Sequence, residues 1–312
     1  MTPRKDLLDL QSLSAEEITY LLDTAQSFRE IVTRPVKKVP TLRGKSVATV
    51  FFEPSTRTRT SFEHAAKIMS ADTYSLASAT SSATKGESLK DTMLTLDAMG
   101  IDAFVIRHTM SGAAALAARY VPRKSVINAG DGTHEHPTQG LLDLLTIRQA
   151  KGRIAGLTVA IVGDILHSRV ARSCLWGLYA LGANVRLVGP STLMPADAHK
   201  LPVTVHTDLR TGLDGADVVN VLRIQLERQD SAYFPTVREY AKLFGVTRDR
   251  LRAAAPGVTV LHPGPMNRGV EISSALADDK EFAVITDQVT NGVAVRMAAL
   301  FWLMGPGAEG RS

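Results

Sequence analysis

The stretch Val47-Ala48-Thr49-Val50-Phe51-Phe52-Glu53-Pro54-Ser55-Thr56-Arg57-Thr58-Arg59-Thr60 decides how this chain is read. Val47 to Phe52 is apolar on both faces, the pattern of a strand buried in a parallel sheet. Ser61 to Met69 follows with residues compatible with a helix, so Ser55 to Thr60 occupies a strand-to-helix turn. Backbone N–H groups are left unsatisfied at such a turn, and the positive end of the helix dipole adds to them. The turn offers four hydroxyls and two guanidiniums within six residues. The planar donor fork of arginine suits phosphate oxygens better than a lysine point charge. A basic solvated loop is the plain alternative, but the position at a strand-to-helix junction favours a phosphate-binding turn.

The flanking segments continue the alternation. Ser14 to Val32 predicts a helix, with Ser14 and Glu17 at capping-box spacing and Ile18, Leu21, Leu22 and Ala25 on one face. Thr73 to Leu76 reads as a short strand, and Ala77 to Ser88 as a Ser/Thr/Ala-rich mobile loop. Leu89 to Met99 and Ala113 to Tyr120 predict helices, and Ala103 to Ile106 and Val126 to Ala129 predict strands. His136-Pro137-Thr138-Gln139 opens a further helix with Leu141, Leu142, Leu144 and Leu145 buried. Alternating strands and helices imply a mostly parallel sheet. Ligands of open α/β sheets bind outside the carboxyl ends of the strands. Ser55 to Arg59, Arg107 and His136 all follow such ends, so they are expected in one crevice.

Lys151-Gly152-Arg153 interrupts the pattern, and a second α/β unit follows. Strands are expected at Leu157 to Val162, Val185 to Val188, Val203 to His206, Val218 to Leu222 and Val258 to Leu261, with a last one at Val284 to Thr286. Val170 to Leu181 and Asn291 to Met304 are expected helices, and His262-Pro263-Gly264-Pro265 a rigid turn. A chain of 312 residues exceeds what one core usually organises. The expected fold class is therefore α/β with two domains, each a mostly parallel sheet flanked by helices.

Bulk properties narrow the function. The net charge of +5 is spread along the chain, which argues against a nucleic-acid partner. A small anionic substrate accounts for the excess equally well. Cys174 is the one cysteine, so no disulfide framework forms within a chain, which fits a cytoplasmic location. The opening residues lack an apolar signal core, and no apolar run approaches the ~18 residues that span a bilayer, so no membrane partner is expected.

Several chemistries fall away. Val162-Gly163-Asp164-Ile165-Leu166-His167 has one glycine where a dinucleotide fingerprint needs three. No GxxxxGK[ST] loop and no Gly-x-Ser-x-Gly elbow is present. His134, Glu135 and His136 lack a third ligand at convincing spacing, so no metal and no cofactor is expected. What remains is cationic. Arg57, Arg107 and Lys85 suit a phosphate, and Arg169 and Arg223 follow strand ends in the second unit and suit carboxylates. The set suggests a phosphorylated substrate on one domain and a dianionic partner on the other.

At this point the residues resemble a known family. Phe52-Glu53-Pro54-Ser55-Thr56-Arg57-Thr58-Arg59 is similar to the carbamoyl-phosphate motif of the aspartate/ornithine transcarbamoylases. His136-Pro137-Thr138-Gln139 and Arg107-His108 resemble two further signatures of that family, in the family's order. The aspartate branch fits best. Lys85-Gly86-Glu87-Ser88 resembles its mobile-loop motif, and Leu222-Arg223-Ile224-Gln225-Leu226-Glu227-Arg228 its aspartate-binding segment. His262-Pro263-Gly264-Pro265 stands where the ornithine branch carries a His-Cys-Leu-Pro turn.

The resemblance implies a carbamoyltransferase of de novo pyrimidine (UMP) biosynthesis, taking carbamoyl phosphate and L-aspartate to N-carbamoyl-L-aspartate and phosphate. It implies a carbamoyl-phosphate domain at residues 1–148 plus 288–312, discontinuous because the last helix packs back on it. An aspartate domain at 149–287 and interdomain helices complete the plan. Ser55, Thr56, Arg57 and Thr58 would bind the phosphate with Arg107. Thr58, Arg107 and His136 would face the carbamoyl oxygen, and Gln139 with the Gly264-Pro265 backbone would hold the carbamoyl nitrogen. Arg169, Arg223 and Gln225 would bind the aspartate carboxylates. Ser81 and Lys85 would enter from a neighbouring subunit of a homotrimer, with Lys85 touching both substrates. The leaving phosphate can take the amine proton, so catalysis rests on Arg57, Thr58, Lys85, Arg107 and His136 without a protein base. A regulatory chain or a dihydroorotase partner is left open. The nearest rival is a sister enzyme with another acceptor, and the rival of a different class is a non-catalytic anion- or nucleic-acid-binding protein.

Overall fold

A computed structural model describes residues 4–77, 87–225 and 236–306. The elements run α1 (Ala15–Thr33), β1 (Ser46–Phe51), α2 (Thr56–Ile68), β2 (Asp72–Ala77), α3 (Leu89–Ala98), β3 (Ala103–His108), α4 (Ala113–Tyr120), β4 (Ser125–Asp131) and α5 (Pro137–Lys151). They continue with β5 (Thr158–Val162), α6 (Arg169–Ala180), β6 (Asn184–Val188), β7 (Thr204–His206), α7 (Leu209–Leu213), β8 (Val218–Val221), α8 (Val237–Phe244), β9 (Thr259–Leu261), α9 (Ser274–Ala277) and α10 (Ile285–Met304). The chain divides into two compact units, one of residues 1–142 with 290–312 and one of residues 143–289.

The first unit holds a four-stranded sheet in the order β2-β1-β3-β4, and every pairing between these strands is parallel. β1, β3 and β4 are buried on both sides, as the unbroken apolar run of β1 requires, whereas the edge strand β2 leaves Asp72, Tyr74 and Ser75 exposed. One layer of the core packs Ala48, Val50, Phe104, Ile106 and Val126 against Met93 and Leu96 of α3 and Ala114, Ala117 and Ala118 of α4. The small residues of α4 let that helix lie close to the sheet. α1 begins with the expected capping box: Glu17 N–H donates to Ser14 Oγ and Ser14 N–H donates to Glu17 Oε2. α10 belongs to this unit from Thr290 onward, and Phe301 meets Phe28 of α1 edge-on at 5.7 Å between centroids.

The second unit carries a five-stranded sheet, β7-β6-β5-β8-β9, again parallel throughout. Val162, Val188, Val219, Val221 and Val260 form the centre of its core with Tyr240 and Phe244 of α8. Gly163 directly follows β5 with φ of +135°, and a Cβ there would sit 3.0 Å from Leu222 Cβ. Glycine is thus what lets the two strand ends close up at this point.

The strand expected at Val284 to Thr286 is not formed. Ala283 makes a single parallel bridge to Val260, and Val284 O then accepts a hydrogen bond from Gln288 N–H as α10 begins. The β-branched run loses to helix geometry there because Gln288 Oε1 also receives His262 N–H and its Nε2 donates to Asp143. α7, α8 and α9 were not anticipated. Among the described residues no helix is long and apolar enough to cross a membrane.

Candidate active site

In the first unit, β1, β3 and β4 are neighbours and parallel, so their carboxyl ends lie side by side. Ser55 is the N-cap of α2 and has an extended backbone, φ −162° and ψ 96°. Its hydroxyl makes no capping hydrogen bond, whereas Ser14, Ser88, Ser168, Asp208, Thr236 and Ser273 each accept one at their own helix starts. No acidic residue stands in the first turn of α2. The helix start therefore keeps both its hydroxyl and its positive dipole end for an anion. Thr56 and Arg57 are exposed there, and Thr58 is half-buried.

Arg107 lies next door on β3, where the register with β4 shifts between Ile106 and His108. Such irregularities re-aim a side chain. Its Nη2 donates to Glu53 Oε1 at 2.6 Å and its Nη1 to Ala129 O at 3.1 Å. One guanidinium thus ties the segment after β1 to the end of β4. His108 packs its ring against Phe52, 5.0 Å between centroids, and its Nδ1 accepts Met110 N–H. Burial pushes its pKa down despite the Asp131 and Glu53 carboxylates, which favours the neutral ring.

At the last residue of β4, the buried carboxylate of Asp131 receives Gly112 N–H, Asn128 Nδ2 and Glu135 N–H, and pairs with His134 Nδ1. Burial alone would raise its pKa, but the His134 and Asn128 hydrogen bonds and the His134 charge together hold it below the usual range. The same hydrogen bond to Asp131 raises His134 against the effect of burial. Glu135 is buried and accepts Leu10 N–H at 2.8 Å. His134 and Glu135 are thereby committed to shaping the turn. His136 is buried at the head of α5, and its carbonyl accepts the N–H groups of Gln139 and Gly140. Gln139 is half-buried one turn along. Ser55 to Thr58, Arg107, His136 and Gln139 are therefore gathered at one strand edge.

In the second unit, β5 and β8 are adjacent and parallel, with Val162 opposite Val221. Arg169 starts α6 after β5, behind the capping hydroxyl of Ser168, and is buried. Arg223 and Gln225 follow β8, both half-buried. The cis Gly264-Pro265 turn follows β9, the next strand. Its frame is polar and buried. Gly264 N–H donates to His262 Nδ1 at 2.8 Å, which leaves Nε2 to carry the proton toward Glu271 Oε1 at 3.2 Å. Glu271 also accepts Asn267 N–H, and Asn267 Nδ2 donates to Ile224 O. The turn after β9 is thus pinned to the segment that carries Arg223 and Gln225.

Ser81, Lys85 and the stretch Leu226-Glu227-Arg228 lie outside the described residues. Glu53, Glu271 and Arg296 are the residues of consequence that the sequence reading passed over. Arg296 left a signal, being the one charged residue between Asn291 and Met304.

Two family models cover the chain: "Aspartate/ornithine carbamoyltransferase, carbamoyl-P binding domain" over residues 5–149 and "Aspartate/ornithine carbamoyltransferase, Asp/Orn binding domain" over residues 155–303. The aspartate carbamoyltransferase catalytic subunit of Moorella thermoacetica is 61% identical over 302 residues, 97% of this chain and 98% of the relative. Aspartate transcarbamoylase from Trypanosoma cruzi, solved with carbamoyl phosphate and aspartate, matches with a TM-score of 0.86 at 30% identity, over 97% of each chain. Ornithine carbamoyltransferase from Pyrococcus furiosus also gives 0.86, at 29% identity, over 97% of this chain and 98% of that one. The backbone alone does not separate the two acceptors; the sequence identity does.

Proposed function

Since the chain belongs to the aspartate/ornithine carbamoyltransferase family, we propose that the strand edge of its first unit binds carbamoyl phosphate and the strand edge of its second unit binds L-aspartate. The reaction is transfer of the carbamoyl group of carbamoyl phosphate to the α-amine of L-aspartate, giving N-carbamoyl-L-aspartate and phosphate, a step of pyrimidine biosynthesis. The observation that carries the assignment of sites is the uncapped start of α2 beside the anchored Arg107 guanidinium.

Ser55, Thr56, Arg57 and Thr58 hold the phosphate with the N–H groups of the first turn of α2. Arg107 and His136, fixed by the ends of β3 and β4, face the carbamoyl oxygen together with Thr58. The neutral amine attacks the carbamoyl carbon, and negative charge develops on that oxygen. A fixed donor there is worth about 3–4 kcal/mol because it needs no reorganisation as the charge appears. The carbon–oxygen bond to phosphate breaks, and the departing phosphate takes the amine proton. No protein base is then needed.

Arg169 and Arg223 select the acceptor. Two guanidiniums neutralise the carboxylates of aspartate and repel the side-chain ammonium of ornithine. Purified protein incubated with carbamoyl phosphate and either amino acid should form the carbamoyl adduct of aspartate alone. Product with ornithine only would transfer the protein to the sister activity, and binding of polynucleotide without turnover would make it a binding protein.

The working unit is a cytoplasmic homotrimer in which Ser81 and Lys85 complete the site of a neighbouring chain. A mixture of inactive Lys85→Ala and Arg57→Ala chains should then regain part of the activity, because some hybrid interfaces carry both wild-type residues. Activity that stays absent after verified subunit exchange rules the shared site out.

A further inference from the structure

Arg296 is buried on α10, 4% exposed, in a helix whose remaining residues from Asn291 to Met304 are uncharged. Its Nη1 donates to Ser61 Oγ at 3.1 Å, and its guanidinium carbon lies 5.1 Å from the centre of the Phe62 ring. Both partners belong to α2 and stand one turn after Arg57 and Thr58. Arg296 Nε has no hydrogen-bond partner among the described residues. A hydroxyl and an aromatic face are modest compensation for burying a cation. Gly292, one turn earlier on α10, makes room for it: a Cβ there would come 2.6 Å from Arg296 Nη1 and 3.3 Å from Leu142 Cδ2. The slot is thus shaped for a guanidinium that a larger residue would displace.

We propose that Arg296 is a positioning residue for the phosphate end of the site, bracing the first turn of α2 through Ser61 and Phe62 and adding a buried positive charge that favours a doubly over a singly charged phosphate. The inference rests on the phosphate reading of that strand edge and adds a source of its selectivity. Burial first, and then the charges of Arg57 and Arg107, together push Arg296 down to about 10. Arginine keeps its charge at neutral pH, so these three concentrate positive charge at the phosphate end of the site. A second negative charge on the ligand gains from each of them, and the gain is larger in a water-poor setting.

Calorimetry with inorganic phosphate, above and below its second ionisation, tests this together with steady-state kinetics. Arg296→Met keeps the packing on Phe62 and removes the charge. It should weaken phosphate binding and raise KM for carbamoyl phosphate about tenfold or more, with KM for aspartate within about twofold. The gain in affinity across the second ionisation should shrink. Arg296→Lys should recover much of the loss, and Gly292→Ala should weaken phosphate in the same direction by displacing the guanidinium. The thermal midpoint of ligand-free Arg296→Met should not fall, because the repulsion from Arg57 and Arg107 is gone. Wild-type phosphate affinity in Arg296→Met overturns the proposal. So does a parallel loss of stability and of both KM values that Arg296→Lys fails to rescue, which is the mark of a packing role. Phosphate binding by the wild type without carbamoyl-aspartate formation would instead strike the assignment of the reaction and leave the role of Arg296 standing.

Discussion

Replacing Arg57 by alanine is expected to lower kcat for carbamoyl transfer by about 10²–10³-fold, the usual cost of deleting one donor aimed at developing charge. Arg57 is exposed on the first turn of α2, so its removal opens no cavity. Alanine is also the best helix former, worth a few tenths of a kcal/mol over arginine at such a position. Removing one of the cations that repel Arg296 relieves the free protein further. The thermal midpoint should therefore stay level or rise while turnover collapses. Kinetics measured beside a circular-dichroism melt separate the two. An Arg57→Ala chain that unfolds early would return α2 to a structural role, and one with intact kcat would remove Arg57 from the chemistry.

The second large effect concerns stability. Glu271→Ala is expected to cost about 2–5 kcal/mol, since it strands two donors at once in the core of the second unit. Glu271 is fully buried and receives Asn267 N–H at 2.5 Å and His262 Nε2 at 3.2 Å. Its other oxygen has no partner among the described residues. Burial, followed by the charges of Glu271 and Asp164, holds Tyr240 far above its ordinary range, so the neighbourhood is already short of compensation. Glu271→Gln keeps an acceptor in place and should cost only part of this. The measurement is the denaturation midpoint at an unchanged m-value. Because Asn267 also holds Ile224 O, KM for aspartate should rise in both variants. A Glu271→Ala protein as stable as the wild type would mean that the His262 turn finds its partners elsewhere.

These two residues mark where the sequence was legible and where it was not. Arg57 stood out because its neighbours in the chain, a buried strand and a helix start, already define its surroundings. The same holds for Arg107 at the end of β3, Arg223 just past β8 and Arg169 at the helix start that follows β5. Parallel sheets expose their carboxyl ends together, so local periodicity was enough to group these residues. Glu271 gave no such signal. Its partners are His262 and Asn267, and only the folded turn reveals that its carboxylate points inward. Glu53 was quoted within the first motif yet its bond to Arg107 spans 54 positions of sequence. Val284 to Thr286 misled because β-branched residues report propensity, whereas Gln288 and its tertiary hydrogen bonds decided the outcome. α8 was passed over although Thr236 and Glu239 have capping-box spacing and Tyr240 and Phe244 fall on one face.

The pairing of Phe301 with Phe28, and of Arg296 with Ser61, has a consequence for how the protein is made. The first unit draws its residues from both ends of the chain, while the second is one continuous stretch, 143–289. On a ribosome, the later-starting unit is therefore the first to have all of its residues available. The unit that begins earlier must wait, with the α1 face beneath Phe301 and the slot for Arg296 open, until α10 emerges. Its exposure to aggregation during synthesis therefore spans the synthesis of the whole second unit. α10 is then the element that closes the core behind the phosphate turn, after the whole of the second unit has been made.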